Sequence, residues 1–451
     1  MDLDGEAYSM TEQEPRVSEQ QQGPLQAGLN PGSRSIIPRG HGLSWATLVI
    51  TTLAILMTSV DAGILPAVLP AIKDDFSLNN AQAGWINSVF FGGTLVGAVA
   101  FGLLSDRIGT GYRRSWTWNI AMLIGIIGGA LTFGFAGSFI AFFLLRIPMG
   151  ISRGGSETVN VALVSEWWPK EHRGFAVGVH HTGFPLGQFL TGALIAVVLD
   201  AAGWREAFLI IPLLGIPIII GQIFVGTRRN QERVYEWIDL HKLTRPLPEL
   251  TTSTRTSMEP IKAALTNRNV LMSVVLMFLF LWCEAGSTTF LTTQLVGHGV
   301  SQSQAALIAG ASGLTGWIGQ VVWGTWSDRS GRKFAMRFLI IGWVLSLLAM
   351  IFITGATSGW IVLIFWGLFR NAPFPVTYAL LIDSLPKYAG SAMGIMIGIA
   401  FALSGLLATP VSGFIIDHFG FTAQYVFLAA ICLIGLIPLA RITESVRVHH
   451  A

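Results

Sequence analysis

Apolar runs long enough to span a lipid bilayer constrain this chain more than any other feature. They fall near 45–71, 83–105, 115–135, 138–164, 174–199, 205–226, 270–295, 304–326, 336–356, 359–382, 390–416 and 421–441. A helix needs about 20 residues to cross a hydrocarbon core ~30 Å thick. Twelve membrane helices are therefore expected, six on each side of a polar stretch at 227–269. The composition agrees, since 52% of the residues are hydrophobic and only 12% are charged, about half the charged share of a soluble chain. The expected fold class is an all-α membrane protein. Its 51 glycines suit the close helix–helix approach that small residues allow in lipid.

Loop charges set the orientation. Arg107, Arg113 and Arg114 follow the second run, Lys170 and Arg173 the fourth, and Arg329, Arg332, Lys333 and Arg337 the eighth. The stretch between the halves is basic from Arg228 to Arg268, whereas the opposite loops carry only Lys73 and Arg205. Lys and Arg mark cytoplasmic loops, so a multi-pass protein of the cell membrane with both termini in the cytoplasm is expected. The chain divides into a tail at 1–40 that reads as disordered, an N-terminal half at 41–226, a cytoplasmic central loop at 227–269, a C-terminal half at 270–441 and a cytoplasmic tail at 442–451. The first tail lacks the basic and apolar regions of a signal peptide. Cys283 and Cys432 fall in apolar runs and imply no disulfide framework. The net charge of +3 is spread along the chain without a basic, aromatic-laced stripe, so no nucleic-acid partner is expected.

The two halves repeat. GISRGGSETVNVALVSEWWP from Gly150 aligns with GLFRNAPFPVTYALLIDSLP from Gly367 at an offset of 217. Arg153 then meets Arg370, Glu166 meets Asp383, Pro169 meets Pro386, and Asp200 meets Asp417. VDAG at 60–63 answers CEAG at 283–286, which matches Asp61 with Glu284. FGLLSDR at 101–107 answers WGTWSDR at 323–329.

The loop after the second run carries Gly102, Asp106, Arg107 and Gly109, then Arg113 and Arg114. The loop after the eighth repeats the pattern with Gly324, Asp328, Arg329, Gly331, Arg332 and Lys333. With this doubled motif the chain resembles the major facilitator superfamily over nearly all of 45–441. The resemblance implies two pseudo-symmetric six-helix halves around a central cavity lined by helices 1, 4, 7 and 10. It also implies that the motif loops form a cytoplasmic gate. A narrower resemblance, carried by ILPAVLPAIKDDFSLNNAQAGWI and SEWWPKEHRGFAVG, is to the organic anion:cation symporter branch. There the fourth helix often carries an arginine followed seven residues later by a proton-carrying acid. Here Arg146 holds the first position but Arg153 holds the second, and the first-helix acid Asp61 is followed by Ala62.

The rare intramembrane charges fall on those four helices: Asp61, Arg153 with Glu157, Glu284, and Arg370. A charge at mid-bilayer costs ~2.5–3.5 kcal/mol on insertion scales and so faces a wet cavity or a partner. Arg153 and Glu157 are spaced i, i+4 and share a helix face. Arg153 and Arg370 are the expected substrate-binding pair, gripping one anion from both halves. Asp61, Glu284 and Glu157 are the expected proton-coupling acids. A purely structural role in helix packing is the competing reading, and for Arg146 the leading one. His180 and His181 read as core histidines. Trp167, Trp168, Trp204 and Trp360 read as interfacial anchors. Pro185 and Pro410 are expected to kink their helices.

The expected function is proton-coupled uptake of a small organic anion, a carboxylate or sugar acid, by alternating access. The partners are that substrate, protons and the lipid bilayer, and one chain holds a complete two-half carrier that works as a monomer. The alternatives are a proton-driven exporter of hydrophobic or cationic compounds and a non-transporting receptor or scaffold. No phosphate loop, nucleophile elbow or metal-ligand cluster occurs, so no enzyme, cofactor or metal is expected.

Overall fold

The computed structural model describes residues 38–247, 259–385 and 389–444. The tail expected at 1–40, apart from its last three residues, lies outside these, as do Pro386 and residues 445–451. In chain order the helices are α1 (Gly42–Phe76), α2 (Asn80–Ile108), α3 (Tyr112–Phe135), α4 (Phe139–Glu166), α5 (Arg173–His181), α6 (Gly183–Ala201), α7 (Trp204–Leu213), α8 (Gly215–Val225), α9 (Arg228–Leu240) and α10 (Glu259–Thr266). They continue with α11 (Arg268–Gly297), α12 (Gln302–Ala309), α13 (Ser312–Ser330), α14 (Arg332–Ala349), α15 (Ala356–Arg370), α16 (Pro373–Ser384), α17 (Ala389–Ile395), α18 (Ala402–Ile434) and α19 (Leu436–Arg441).

Among the described residues, 9 continuous helical stretches are long and apolar enough to cross a membrane. One of them, Ala392–Arg441, is 50 residues long and turns at Gly420, whose φ of 79° is non-helical, so it provides two passes. α4 is diluted by its own charges, and the α15–α16 pair is broken at Asn371 and Ala372. With these two the bundle has the twelve passes expected.

Two of the breaks within passes lie just ahead of or at a proline. Pro373 has no N–H to give the carbonyl of Phe369, and the Trp343 indole donates to that carbonyl instead, at 3.0 Å. The α5–α6 break at Thr182 lies just ahead of Pro185. α18 stays helical through Pro410, and the irregularity of that pass is a π-helical turn at Met396–Phe401.

The polar stretch between the halves contains two helices. α9 buries Gln231, Val234, Tyr235 and Ile238, one face at helical spacing. Gln231 Oε1 accepts the Tyr112 N–H at the start of α3 (2.6 Å). In the other half Glu444 accepts the N–H groups of Arg332 (3.0 Å) and Lys333 (2.9 Å) at the start of α14. Each half thus caps its third pass with a side chain that follows its sixth.

Trp167, Trp168 and Trp204 are at most 7% exposed and are core residues, not interfacial anchors. Trp168 packs edge-on against Trp45, and its indole donates to the Ser44 carbonyl at 3.1 Å. Trp204 packs edge-to-face with Phe76, Phe142 and Phe208. Their position at helix ends matches an anchor, but neighbouring helices cover them before lipid can.

The halves meet closely at the end opposite the motif loops. There α2 crosses α18, where Thr409 Oγ1 donates to the Gly84 carbonyl (2.9 Å). Asp417 accepts the N–H groups of Asn80 (3.0 Å) and Ala81 (2.8 Å) at the start of α2. A Cβ on Gly310 would lie 2.8 Å from the carbonyl oxygen of Gln188, so α12 and α6 are equally close. At the motif end Gly174, Gly178, Gly394 and Gly398 have no neighbour within 4 Å of where a side chain would begin. Among the described residues, these close crossings between the halves gather toward the end opposite the motif loops.

Candidate functional site: a two-arginine cavity between the halves

A cavity of about 130 Å³ lies where α1, α2, α4 and α6 face α11, α12, α15 and α18. Arg153, Arg370 and Glu284 are its charged lining residues. Arg153 comes from α4 and Arg370 from the last turn of α15, so each half brings one guanidinium.

The two arginines are held differently. Arg370 is engaged: Nε and Nη2 both lie 2.9 Å from Glu284 Oε1. Its Nη1 donates to Ser312 Oγ at 2.7 Å, and the guanidinium sits 4.7 Å from the Trp366 ring centre. Arg153 is looser. Its Nη1 donates to the Thr58 carbonyl at 3.1 Å, Nη2 is 3.8 Å from Glu157, and Nε has no partner. The rings of Phe401 and Phe184 lie 4.7 and 5.6 Å from this guanidinium. A buried arginine with an unspent donor beside a cavity is a site for an anion.

Asp61 does not pair with an arginine in this way. It lines a second, far smaller cavity of about 10 Å³ behind Arg153, with Thr58, Ser152 and Ser156, and its Oδ1 has no partner. The repeat therefore matches Asp61 with Glu284 in sequence but not in contacts. The reason lies in α4, where Glu157 occupies Arg153, while Phe374 stands at the equivalent place beside Arg370. Arg146 is 1% exposed and lies 4.4, 5.4 and 6.0 Å from the ring centres of Phe208, Phe142 and Phe90, with Met149 Sδ against it. Its guanidinium is enclosed by aromatic rings, and its Nε has no partner. His180 is fully buried, and the His181 ring lies tilted against Tyr378 of the other half, 5.6 Å between centres.

The motif loops show the same contacts twice. Gly109 and Gly331 have φ of 122° and 96°, angles that only glycine adopts readily. Arg332 donates to Ser327 Oγ (2.7 Å) and lies 2.5 Å from Asp328 and 3.5 Å from Asp383. In the first copy Arg114 donates to Ser105 Oγ (2.6 Å) and Glu166 (2.7 Å). Arg113 instead bonds the Tyr112 hydroxyl at 3.1 Å. Four residues, 110–113, separate Gly109 from Arg114 where Gly331 adjoins Arg332 directly, so the counterpart of Arg332 is set by contacts, and it is Arg114. Arg107 and Arg329 are exposed, Gly102 and Gly324 are half-buried, and the side chain of Asp106 lies outside the described residues.

Sequence reasoning missed the aromatic cover of Arg153 and the buried amide pair that joins the halves, in which Asn371 Nδ2 donates to Gln188 Oε1 at 3.0 Å. Two amides inside apolar runs were the available signal for the pair. Nothing in the sequence marks Phe401, one of many phenylalanines.

The sequence model of the Major Facilitator Superfamily matches residues 51–298 and 295–450. A probable sulfoacetate transporter of Cupriavidus necator is 26% identical, over 84% of this chain and 89% of its own length. A hexuronate transporter of Bacillus subtilis is 24% identical, over 87% and 93%. A benzoate transport protein of Acinetobacter baylyi is 24% identical, over 68% and 70%. Among solved structures, a bacterial homolog of the human lysosomal transporter Spinster, in an inward-facing and unoccupied conformation, superposes with a TM-score of 0.67 at 16% identity. That match covers 90% of this chain and 97% of the other, and at that identity it speaks for the fold.

Proposed function

Because this chain belongs to the Major Facilitator Superfamily, and is thus a multi-pass membrane transporter and not an enzyme, we propose that it takes up a small organic anion with protons by alternating access. The observation that carries this reading is the pair Arg153 and Arg370, one from each half, lining one cavity. The three relatives named above are transporters of organic acids with unlike bodies, so the acid group is the feature their substrates share.

The contacts suggest how anion and proton are linked. Arg153 has a free donor and receives the anion. Arg370 is bound to Glu284, and separating a buried ion pair leaves both charges uncompensated, at a cost of about 3–5 kcal/mol. A proton on Glu284 together with an anion on Arg370 removes both penalties at once. Proton and anion therefore load together, and the anion bridges the halves. Asp61 and Glu157, on the far side of Arg153, are the further proton sites in this scheme.

The basic motif loops place their end in the cytoplasm, with both termini and the central stretch on that side. The end with the close crossings is then outward, and the state inward-facing. Loops 102–114 and 324–333 act as the cytoplasmic gate. The chain works as a monomer in the cell membrane, since the cavity draws on both of its own halves.

The test is proton flux into proteoliposomes holding a pH-sensitive dye, corrected for protein-free vesicles. Pools of organic acids, neutral sugars and lipophilic cations are added in turn, with the Arg370→Gln protein alongside. Acidification by the acid pool that is lost in Arg370→Gln is expected. Proton movement with the cations alone, indifferent to Arg370, overturns the reading in favour of an exporter.

A further inference from the structure

The cavity lining also speaks to what the anion is attached to. The donor hydrogens of its hydroxyl groups are nearly all spent within the protein. Ser59 donates to the Phe184 carbonyl (3.1 Å), Thr191 to that of Gly187 (2.7 Å), Thr288 to that of Glu284 (2.7 Å) and Ser404 to that of Phe401 (2.9 Å). Asn87 donates to Thr289 (2.8 Å), and Gln188 is paired with Asn371. Thr292 is the lining hydroxyl without a partner. A polyhydroxylated acid brings several groups that each need a donor and an acceptor, and a polar group left unmatched in a closed site loses affinity.

Around Arg153 the wall is aromatic instead. Phe91, Phe184 and Phe401 all line the cavity, and the Phe91 and Phe401 rings are 5.5 Å apart. Phe401 ends the π-helical turn Met396–Phe401, a local distortion of a kind frequent at functional sites. That turn brings a ring from the C-terminal half over the arginine of the N-terminal half. The rings cover the guanidinium while its Nε–H edge stays unspent, and a carboxylate binds a guanidinium in its plane.

Charge sets the valence. Arg153, Glu157, Arg370 and Glu284 together are neutral when all are ionised. One proton and one monoanion keep them so, whereas a dianion requires two protons. We propose that the substrate is an aromatic monocarboxylate, its ring among Phe91, Phe184 and Phe401 and its carboxylate between Arg370 and the buried, unpartnered Nε–H of Arg153. This inference rests on the anion-carrier reading and narrows it.

The experiment is calorimetric binding to the full chain in detergent, with benzoate and glucuronate as probes, for the wild-type protein and for Phe401→Leu and Arg153→Gln. Expected are benzoate binding at least about tenfold tighter than glucuronate, a loss of about two- to tenfold for benzoate in Phe401→Leu, as for one aromatic contact, and loss of benzoate binding in Arg153→Gln. Size-exclusion profiles matching the wild type show that the variants are folded. Glucuronate binding as tightly as benzoate, or benzoate binding indifferent to Phe401, overturns the aromatic assignment and leaves the anion carrier standing. Absence of binding by either acid, with lipophilic cations bound instead, overturns both.

Discussion

Gly84→Ala should open the outer face. At Gly84 α2 crosses α18 so closely that an added Cβ would lie 2.7 Å from the carbonyl carbon of Thr409 and 2.8 Å from the Cα of Pro410. Carbon atoms rest about 3.5–4.0 Å apart, so the helices must part by roughly 0.8–1.3 Å. The obstructing atoms are backbone and cannot rotate away. Overpacking of this kind costs about 1–3 kcal/mol. The penalty exists only while the outer ends are closed, so it acts wholly on the balance between conformations. At 1.4 kcal/mol per tenfold, that is about a 5- to 140-fold shift toward the outward-open state. A Thr292→Cys reporter in the cavity, reacted from outside with a membrane-impermeant maleimide, reads the shift directly. Background is low because Cys283 and Cys432 are buried. Gly134→Ala is the control, since nothing lies within 4 Å of that position, and it should leave the labelling rate unchanged. A folded Gly84→Ala protein that labels at the unmodified rate would refute the argument that this crossing holds the outer face shut.

Three further outcomes follow from contacts already described. Asp61→Asn should retain anion binding but flatten the pH dependence of transport, and an unchanged profile removes Asp61 from the proton path. Arg114→Gln breaks a pair whose side chains are 13% and 8% exposed, so it should lower stability by about 3–5 kcal/mol. Arg113→Gln should cost well under that, and equal melting shifts for the two would contradict the assignment of Arg114 as the counterpart of Arg332. Outside the membrane, burial alone would raise the Glu171 carboxyl, but hydrogen bonds from the Thr244 hydroxyl and N–H outweigh it and hold it below its ordinary value. The stability it lends to the start of the central stretch is then complete above the unfolded-state pKa of about 4.3. It fades as pH falls through the lower folded-state value. Proteolysis near Thr244 should stay constant from pH 8 to about 5 and rise only in stronger acid, and a rise already near pH 6 would assign the tether to another group.

Much of this protein was legible in its sequence because lipid leaves few choices. Runs of about 20 apolar residues must be helices whose backbones satisfy themselves, and basic loops choose a side. The internal repeat then pairs Arg153 with Arg370 and Asp61 with Glu284 before any contact is known. Tertiary packing decided the rest, because it depends on which helix faces which. It gave Glu284 to Arg370 but left Asp61 in a cavity of its own, since Glu157 already stands one turn from Arg153. It set Arg114, not Arg113, against Glu166 across a loop four residues longer than its copy. It buried Trp167, Trp168 and Trp204 at helix ends where sequence position alone suggests an interface. And it brought Phe401, unmarked in the sequence, over an arginine of the opposite half through one π-helical turn. Periodicity and charge act within a segment and can be read along the chain, whereas a partner across the bundle exists only after the helices have packed.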